Sequence, residues 1–384
     1  MTSPARRTLA MPREHSPFHA GEQTLQLRAG VRKRMAQIGR KAIHDFMPDQ
    51  HRALFAELPF VVVGALDGRR RPWASVLVGT PGFMSSPDPW TLRIAARAGF
   101  GDPIAAGLVA GAPVGLLGIQ LETRRRNRMN GTVIEAKEEV YAAHTLLDVC
   151  AHLSGRRPIA RHTQETDGTI YRDGVNCIVV RVDQSFGNCP QYIQARRPLF
   201  RPEPSPVVAS RSVRVEGTLL SADAAALVRR ADTFFMATAS PAAGSSDPVE
   251  GVDVSHRGGK PGFVRVDEGD GRTVLTSPDF RGNSFFNTFG NLALNPRAGI
   301  VFVDFAAGGL LSLTGEAEVV WDGPELEAFA GAQRLLRFRV DAGVWTENAV
   351  PLRWSAPAPA PQLAATGSWE DFRVGPLQCI EPAT

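Results

Sequence analysis

Gly282–Phe305 reads GNSFFNTFGNLALNPRAGIVFVDF. Small polar residues lead into a helical turn, Asn295-Pro296 stops it, and an apolar run follows as a strand. Gly101–Gln120, GDPIAAGLVAGAPVGLLGIQ, has the same plan: a polar start, a short apolar turn, a Gly/Pro break and an apolar strand. The pairing of these two stretches decides the fold, because their surroundings match as well.

PDQHRALFAELPFVVVGALDGRRRPWASVLVG from Pro48 is answered by SADAAALVRRADTFFMATAS from Ser221 and, after a longer hairpin, by HRGGKPGFVRV. Each begins with a polar cap and a short amphipathic helix, turns into a β-rich run, and passes a basic turn and a proline (Pro72, Pro261) into another strand. TLRIAA at Thr91 answers TVLTSP at Thr273, and RRNRMNGTVIE answers LLSLTGEAEVV, with Gly131 opposite Gly315. A repeat of this length, with short strands and one helix between them, is a duplicated domain rather than a solenoid. Each copy reads as a small antiparallel β-barrel with a helix or two, so the fold class is mainly β (α+β).

The expected organisation is an N-terminal extension (1–47), a first barrel (48–200) with an insertion at about 138–173, a second barrel (201–330) and a C-terminal extension (331–384). AKEEVYAAHTLLDVCAHL, Ala136–Leu153, reads as a helix within the insertion. RPLFRPEPSP (Arg197–Pro206) and SAPAPAPQLAATG (from Ser355) read as extended linkers.

The 384 residues carry 43 Lys and Arg against 39 Asp and Glu, a net charge of only +4, and the excess is local and arginine-rich (TRRRNR, DGRRRP). That pattern suits phosphate or carboxylate groups more than a general nucleic-acid surface, which would also need interleaved aromatics. The four cysteines, Cys150, Cys177, Cys189 and Cys379, have neither zinc-ligand nor Cys-x-x-Cys spacing. Free thiols, no signal-peptide core and no apolar run of membrane-spanning length lead to the expectation of a cytoplasmic protein, with no membrane and no nucleic-acid partner. No metal centre and no nucleophile–base triad stand out.

Three motifs, TRRRNRMNG (Thr123–Gly131), FGNCPQYIQ (Phe186–Gln194) and NPRAGIVFVDF (Asn295–Phe305), resemble those of the pyridoxamine 5′-phosphate oxidase-like FMN-binding split-barrel family, in its long two-barrel form. The resemblance covers residues 17–354. It implies two tandem six-stranded split barrels packed as a pseudo-dimer, with FMN between them, and an FMN-dependent oxidoreductase acting on a small molecule. A non-catalytic flavin or haem binder is the alternative, because the fold does not fix the substrate. With no dinucleotide-type glycine fingerprint in the chain, NAD(P)H or a separate reductase is the expected electron donor. A monomeric pseudo-dimer and a homodimer both remain open.

By position before Asn295-Pro296, the resemblance places the FMN phosphate at Asn287 and Thr288, with Asn283, Asn291 and Thr276 nearby and Arg265 supplying charge. Backbone N–H groups at a helix start suit a phosphate, although the three asparagines also read as capping and turn residues. Strand alternation puts Arg124, Arg126 and Arg128 on one face and Arg125, Asn127 and Met129 on the other; Arg126 or Asn127 is a candidate for the flavin's polar edge or its phosphate, and Arg128 is a further cofactor-binding candidate. Asn188, Tyr192 and Gln194 read as pocket walls. His256 and Cys189 are the weak catalytic candidates, a surface histidine and a structural turn being the plainer readings. Asp102, at the equivalent place in the first copy, would repel a phosphate, so one phosphate loop per chain is expected.

Overall fold

The structure, a computed structural model, describes residues 16–99, 101–139, 175–200 and 212–371. The insertion at about 138–173, nearly all of the helix expected there, Cys150 and Cys379 fall outside the described residues, apart from Ala136–Glu139, which extend a strand.

The first sheet comprises β1 (Phe60–Leu66), β2 (Pro72–Val78), β3 (Met84–Asp88), β4 (Thr91–Ala95), β5 (Pro113–Gln120), β6 (Arg125–Glu139) and β7 (Val175–Gly187). Its order is β2-β1-β5-β6-β7-β4-β3. Two short strands, β8 (Pro198–Phe200) and β9 (Val213–Glu216), come next in the chain. The second sheet then comprises β10 (Thr233–Ala239), β11 (Val252–Gly258), β12 (Arg265–Gly269), β13 (Arg272–Phe280), β14 (Arg297–Val303), β15 (Leu310–Val320) and β16 (Ala332–Thr346), with β9 added beside β16. Its order, β11-β10-β14-β15-β16-β13-β12, is the first sheet's order strand for strand. The likeness extends to a defect: the β6–β7 register shifts between Asn130 and Gly131, and the β15–β16 register between Thr314 and Gly315. Both glycines face a backbone carbonyl, and an added Cβ would lie 2.2 Å from Arg181 O or 2.0 Å from Arg339 O. A bulge that tight admits only glycine.

Helices sit at matching points too. α1 (Ala20–Arg28) and α2 (Arg32–Ala42) precede α3 (Asp49–Glu57), which leads into β1. α4 (Ala222–Arg230), capped by the Ser221 side chain, leads into β10. α5 (Asn287–Leu294) joins β13 to β14 where the first sheet has a single 3₁₀ turn, Pro103–Gly107.

The sheets pack on each other. One buried cluster draws Phe60, Val62, Leu117 and Ile119 from the first and Phe235, Val254, Val301 and Val303 from the second. Two glycines at equivalent points allow this approach. A Cβ on Gly115 would stand 2.6 Å from Val252 O, and one on Gly299 2.5 Å from Pro72 O.

The structure corrects four expectations. Among the described residues the ladders are sheets of seven and eight strands, where six-stranded split barrels were expected. The second sheet continues past residue 330, because β16 lies between β15 and β13. The presumed linkers are partly structured: β8 pairs with β17 (Leu352–Trp354), and Ala195 bridges Ala358. Residues 16–47 of the N-terminal extension are built in, with Phe18, Met35 and Ile43 packed on Phe186 and Phe285.

Gly299→Ala should cost about 1–3 kcal/mol, because the methyl meets backbone and the sheets must part. Gly68→Ala, where an added Cβ meets nothing within 4 Å, is the control and should be near neutral. Urea denaturation midpoints of the two variants measure the difference.

Candidate functional site

A cavity of about 120 Å³ opens where the two sheets and α5 meet. One water needs about 10–15 Å³ by the same measure, so the space is of ligand size. Its walls are Arg126 and Arg128 of β6, the Asn188–Tyr192 turn after β7, Ser255–Gly258 of β11, the end of β13 with the loop after it, the first turn of α5, and Arg334 of β16.

The loop into α5 is held in an unusual shape. Ser284 and Phe286 both have positive φ (62° and 64°), with Phe285 between them buried against Phe18 and Phe186. The Asn283 side-chain Oδ1 accepts from Phe285 N at 3.1 Å, an Asx turn that reinforces the bend. Phe286 is the N-cap and supplies no side-chain cap, so the first turn of α5, whose residues line the cavity, has N–H groups without a side-chain acceptor. Tyr192 (φ 60°) stacks on Phe280 with ring centroids 4.9 Å apart.

Beneath the cavity lies a buried polar network. Arg128 Nη1 donates to Asp253 Oδ1 at 2.9 Å and to Asn287 Oδ1 at 3.0 Å. Asn287 Nδ2 donates to Glu22 of α1. Thr288 Oγ1 donates to Ser255 Oγ at 2.9 Å and lies 3.3 Å from Asp253 Oδ2. The side chains of Asn287 and Thr288 are therefore committed to protein partners, and what they leave for a ligand is backbone N–H.

Further charge comes from two arginines the sequence did not single out for it. Arg257 donates through Nη1 to Asp279, and Arg334 grips the same carboxylate through Nε and Nη2 at 2.9 and 2.6 Å. Both guanidinium groups lie over the Phe289 ring. Arg126 donates Nε to Cys189 O at 2.7 Å; burial, reinforced by Arg128 and Arg257, lowers its pKa to about 9. Burial likewise lowers Arg257, against the pull of Asp279. Arg128 Nε, Arg257 Nε, Asn188 Nδ2 and His256 Nε2 are buried without a protein hydrogen-bond partner. Asp279 is the one carboxylate on the wall, against Arg126, Arg128, Arg257, Arg281 and Arg334. A buried site with that surplus of cations and orphan donors suits an anion.

The expected residues divide accordingly. Arg126, Arg128, Asn188, Cys189, Tyr192, His256, Asn283, Asn287 and Thr288 line one cavity, although they come from both halves of the chain. Arg265 does not: it pairs with Asp267 (2.6 Å) and Glu325 (2.7 Å) and lies over Trp369. Thr276 is buried on β13 away from the cavity. Asn291 donates to Thr238 Oγ1 at 3.1 Å, inside the helix–sheet contact. Asn127 is buried outside the cavity lining, as alternation along β6 requires. Gln194 braces the chain through Gly259 O and Ala360 N. Arg124 holds carbonyls of Ile193, Ala358 and Pro359 instead of joining Arg126 and Arg128. His256 is buried, not on the surface, and burial beside Arg126 and Arg257 pushes its pKa well below the ordinary value, so its ring is neutral. Among the described residues no helix is long and apolar enough to cross a membrane, and no cluster of three His, Cys, Asp or Glu forms a metal site.

Residues 220–346 match the family model described as pyridoxamine 5′-phosphate oxidase. That span runs from just before α4 to the end of β16 and, over those residues, bears out the family resemblance read from the sequence. Among solved structures, a protein provisionally described as a pyridoxamine 5′-phosphate oxidase, from Lactobacillus delbrueckii, is 13% identical and aligns over 37% of this chain and 95% of its own, with a TM-score of 0.24. A FAD-binding protein from Mesorhizobium loti is 14% identical over 35% of this chain and 97% of its own (TM-score 0.21). A heme storage protein from Vibrio cholerae is 16% identical over 32% and 90% (TM-score 0.20). No curated protein matches the sequence.

Arg128→Met should cost about 3–5 kcal/mol, because it strands the Asp253 carboxylate in the interior. The double variant Arg128→Met/Asp253→Leu should recover a large part of that loss. A double-mutant cycle by urea denaturation near pH 7 measures both.

Proposed function

We propose that this chain, whose residues 220–346 carry a domain of the pyridoxamine 5′-phosphate oxidase family, is an FMN-dependent oxidoreductase acting on a small molecule. The flavin site lies between two duplicated β units packed as a pseudo-dimer. The observation that carries this reading is the cavity itself: orphan guanidinium and amide donors from both halves converge beside an uncapped helix start. Arg257, Arg334 and the first-turn N–H groups of α5 would hold the phosphate. Arg126 and Arg128 would set positive charge near the ring system, and Tyr192 on Phe280 offers an aromatic wall. When bound, FMN supplies the electron chemistry; the protein binds, orients and shields it. NAD(P)H or a separate reductase is the proposed electron donor.

Neutral His256 fits hydrogen bonding at Nε2 better than proton donation by an imidazolium. Cys189, whose carbonyl fixes Arg126, fits a wall residue better than a nucleophile. The orphan His256 Nε2 is also the feature that keeps a haem-binding alternative testable.

One flavin per chain is the favoured stoichiometry. Counted from the matching bulge glycines, β15 has Leu310 and Ser312 where β6 has Arg126 and Arg128. Ser75, the counterpart of Ser255, donates to Asp102, which also caps the 3₁₀ turn through Ile104 N. Burial raises the Asp102 pKa. The second potential site thus holds a carboxyl and no arginine from that strand.

Purified protein titrated with FMN should bind one equivalent and show flavin absorption bands that bleach on anaerobic mixing with NADH, NADPH or a chemical reductant. A Soret band instead would move the assignment to haem, and a colourless protein that rejects FMN would overturn it. Arg257→Ala should weaken FMN binding about tenfold to a hundredfold, the worth of one charge-assisted contact. Asp102→Asn should leave it unchanged; equal losses from both would show two equivalent sites.

A further inference from the structure

We propose that the N-terminal helix α1 is part of the anion site, with Glu22 as a positioning residue that holds Asn287, and through it Arg128 and the first turn of α5, where the ligand meets them. The proposal rests on the reading of the cavity as a site for a phosphate-bearing ligand.

The contacts are close and specific. Glu22 Oε1 accepts from Asn287 Nδ2, and Oε2 accepts from His19 N at 2.8 Å. Gln26 Nε2 donates to Phe285 O at 3.0 Å, gripping the strained loop between Ser284 and Phe286. α1 and α5 touch backbone to backbone: a Cβ on Gly21 would lie 2.1 Å from Gly290 O, and one on Gly290 2.5 Å from Glu22 Cγ. Gln184 of β7 donates to Pro17 O at 2.9 Å, and Arg28 lies 4.1 Å over the Trp321 ring, so the strap is fastened at both ends.

An uncapped helix start has nothing of its own to fix its orientation. Here a carboxyl from a helix 265 residues away in sequence does so, and the same asparagine orients Arg128. The arrangement leaves Arg128 Nε free for a ligand. His19, Asp253 and Arg128 are the charged or titratable groups acting on Glu22, and Glu250 and Asp247 act on His19 in turn. Burial, with Asp253 adding, raises the Glu22 pKa to about 8 against the hydrogen bonds and Arg128. Above that pH a negative charge stands one asparagine away from Arg128 and opposes an anion; below it the carboxyl is neutral. Anion affinity therefore falls as pH rises through about 8.

The full chain and its Glu22→Gln and Glu22→Ala variants are titrated with FMN, with riboflavin, which lacks the phosphate, and with pyrophosphate followed by thermal stabilisation. Glu22→Ala should cut the preference for FMN over riboflavin about tenfold. Glu22→Gln, which keeps one acceptor for Asn287, should retain most of that preference. It should also lose the fall in FMN affinity expected of the wild type between about pH 7 and about pH 8.5. Equal loss of FMN and riboflavin in both variants would mean simple packing damage and would overturn the proposal. So would a wild type that neither prefers FMN nor responds to pyrophosphate. A wild type that binds pyrophosphate but no flavin would overturn only the flavin reading. The expected effects of Glu22→Ala and Glu22→Gln then transfer to pyrophosphate, and their absence there would overturn the proposal.

Discussion

Arg128 meets Asp253 between two sheets, with both side chains buried, and much else is arranged around that contact. Taking both charges out of water costs several kcal/mol each, which their attraction offsets only if the remaining donors and acceptors are satisfied. The protein meets that condition for all but one donor with side chains from four elements: Arg128 from β6, Asp253 and Ser255 from β11, Asn287 and Thr288 from α5, and Glu22 from α1. The pair thus sets the relative position of the two halves, the seat of α5 and the path of the N-terminal helix. The donor it leaves over, Arg128 Nε, belongs to a residue of the cavity wall. The interaction that joins the halves is also the floor of the site.

Much of this was legible in the sequence. The repeat was visible because strands, glycines and breaks recur in order, and the structure returns that order in both sheets. Gly131 and Gly315 could be matched because a bulge against a carbonyl tolerates no Cβ. Strand alternation separated Arg126 and Arg128 from Asn127.

What could not be read was partnership across space. Arg265 and Arg257 look alike in sequence, eight positions apart and each within a strand. Asp267 and Glu325 neutralise Arg265, whereas Arg257 shares a single carboxylate with Arg334 beside a cavity. Arg334 had no local signal at all. The role of Glu22 was hidden because α1 has no strong apolar stripe and its partner lies in the other half of the chain. The proline-rich segments were misread for a related reason: composition predicts an extended backbone, but not whether another extended backbone lies alongside it, as Leu352–Trp354 does for Pro198–Phe200.

The two sheets are segments of one chain, which changes how their contact responds to dilution. Two separate subunits holding a site between them lose it as concentration drops below their dissociation constant. A tethered pair meets at an effective concentration set by the connecting chain, on the order of millimolar for a short flexible link, and independent of how much protein is present. The interface between the sheets therefore has no need to be strong enough for dimerisation at cellular dilution. Its glycines and polar network are free to serve fit instead. The tether also removes the demand for symmetry: a substitution such as Asp102 or Ser312 appears once, on one side, and leaves its counterpart untouched.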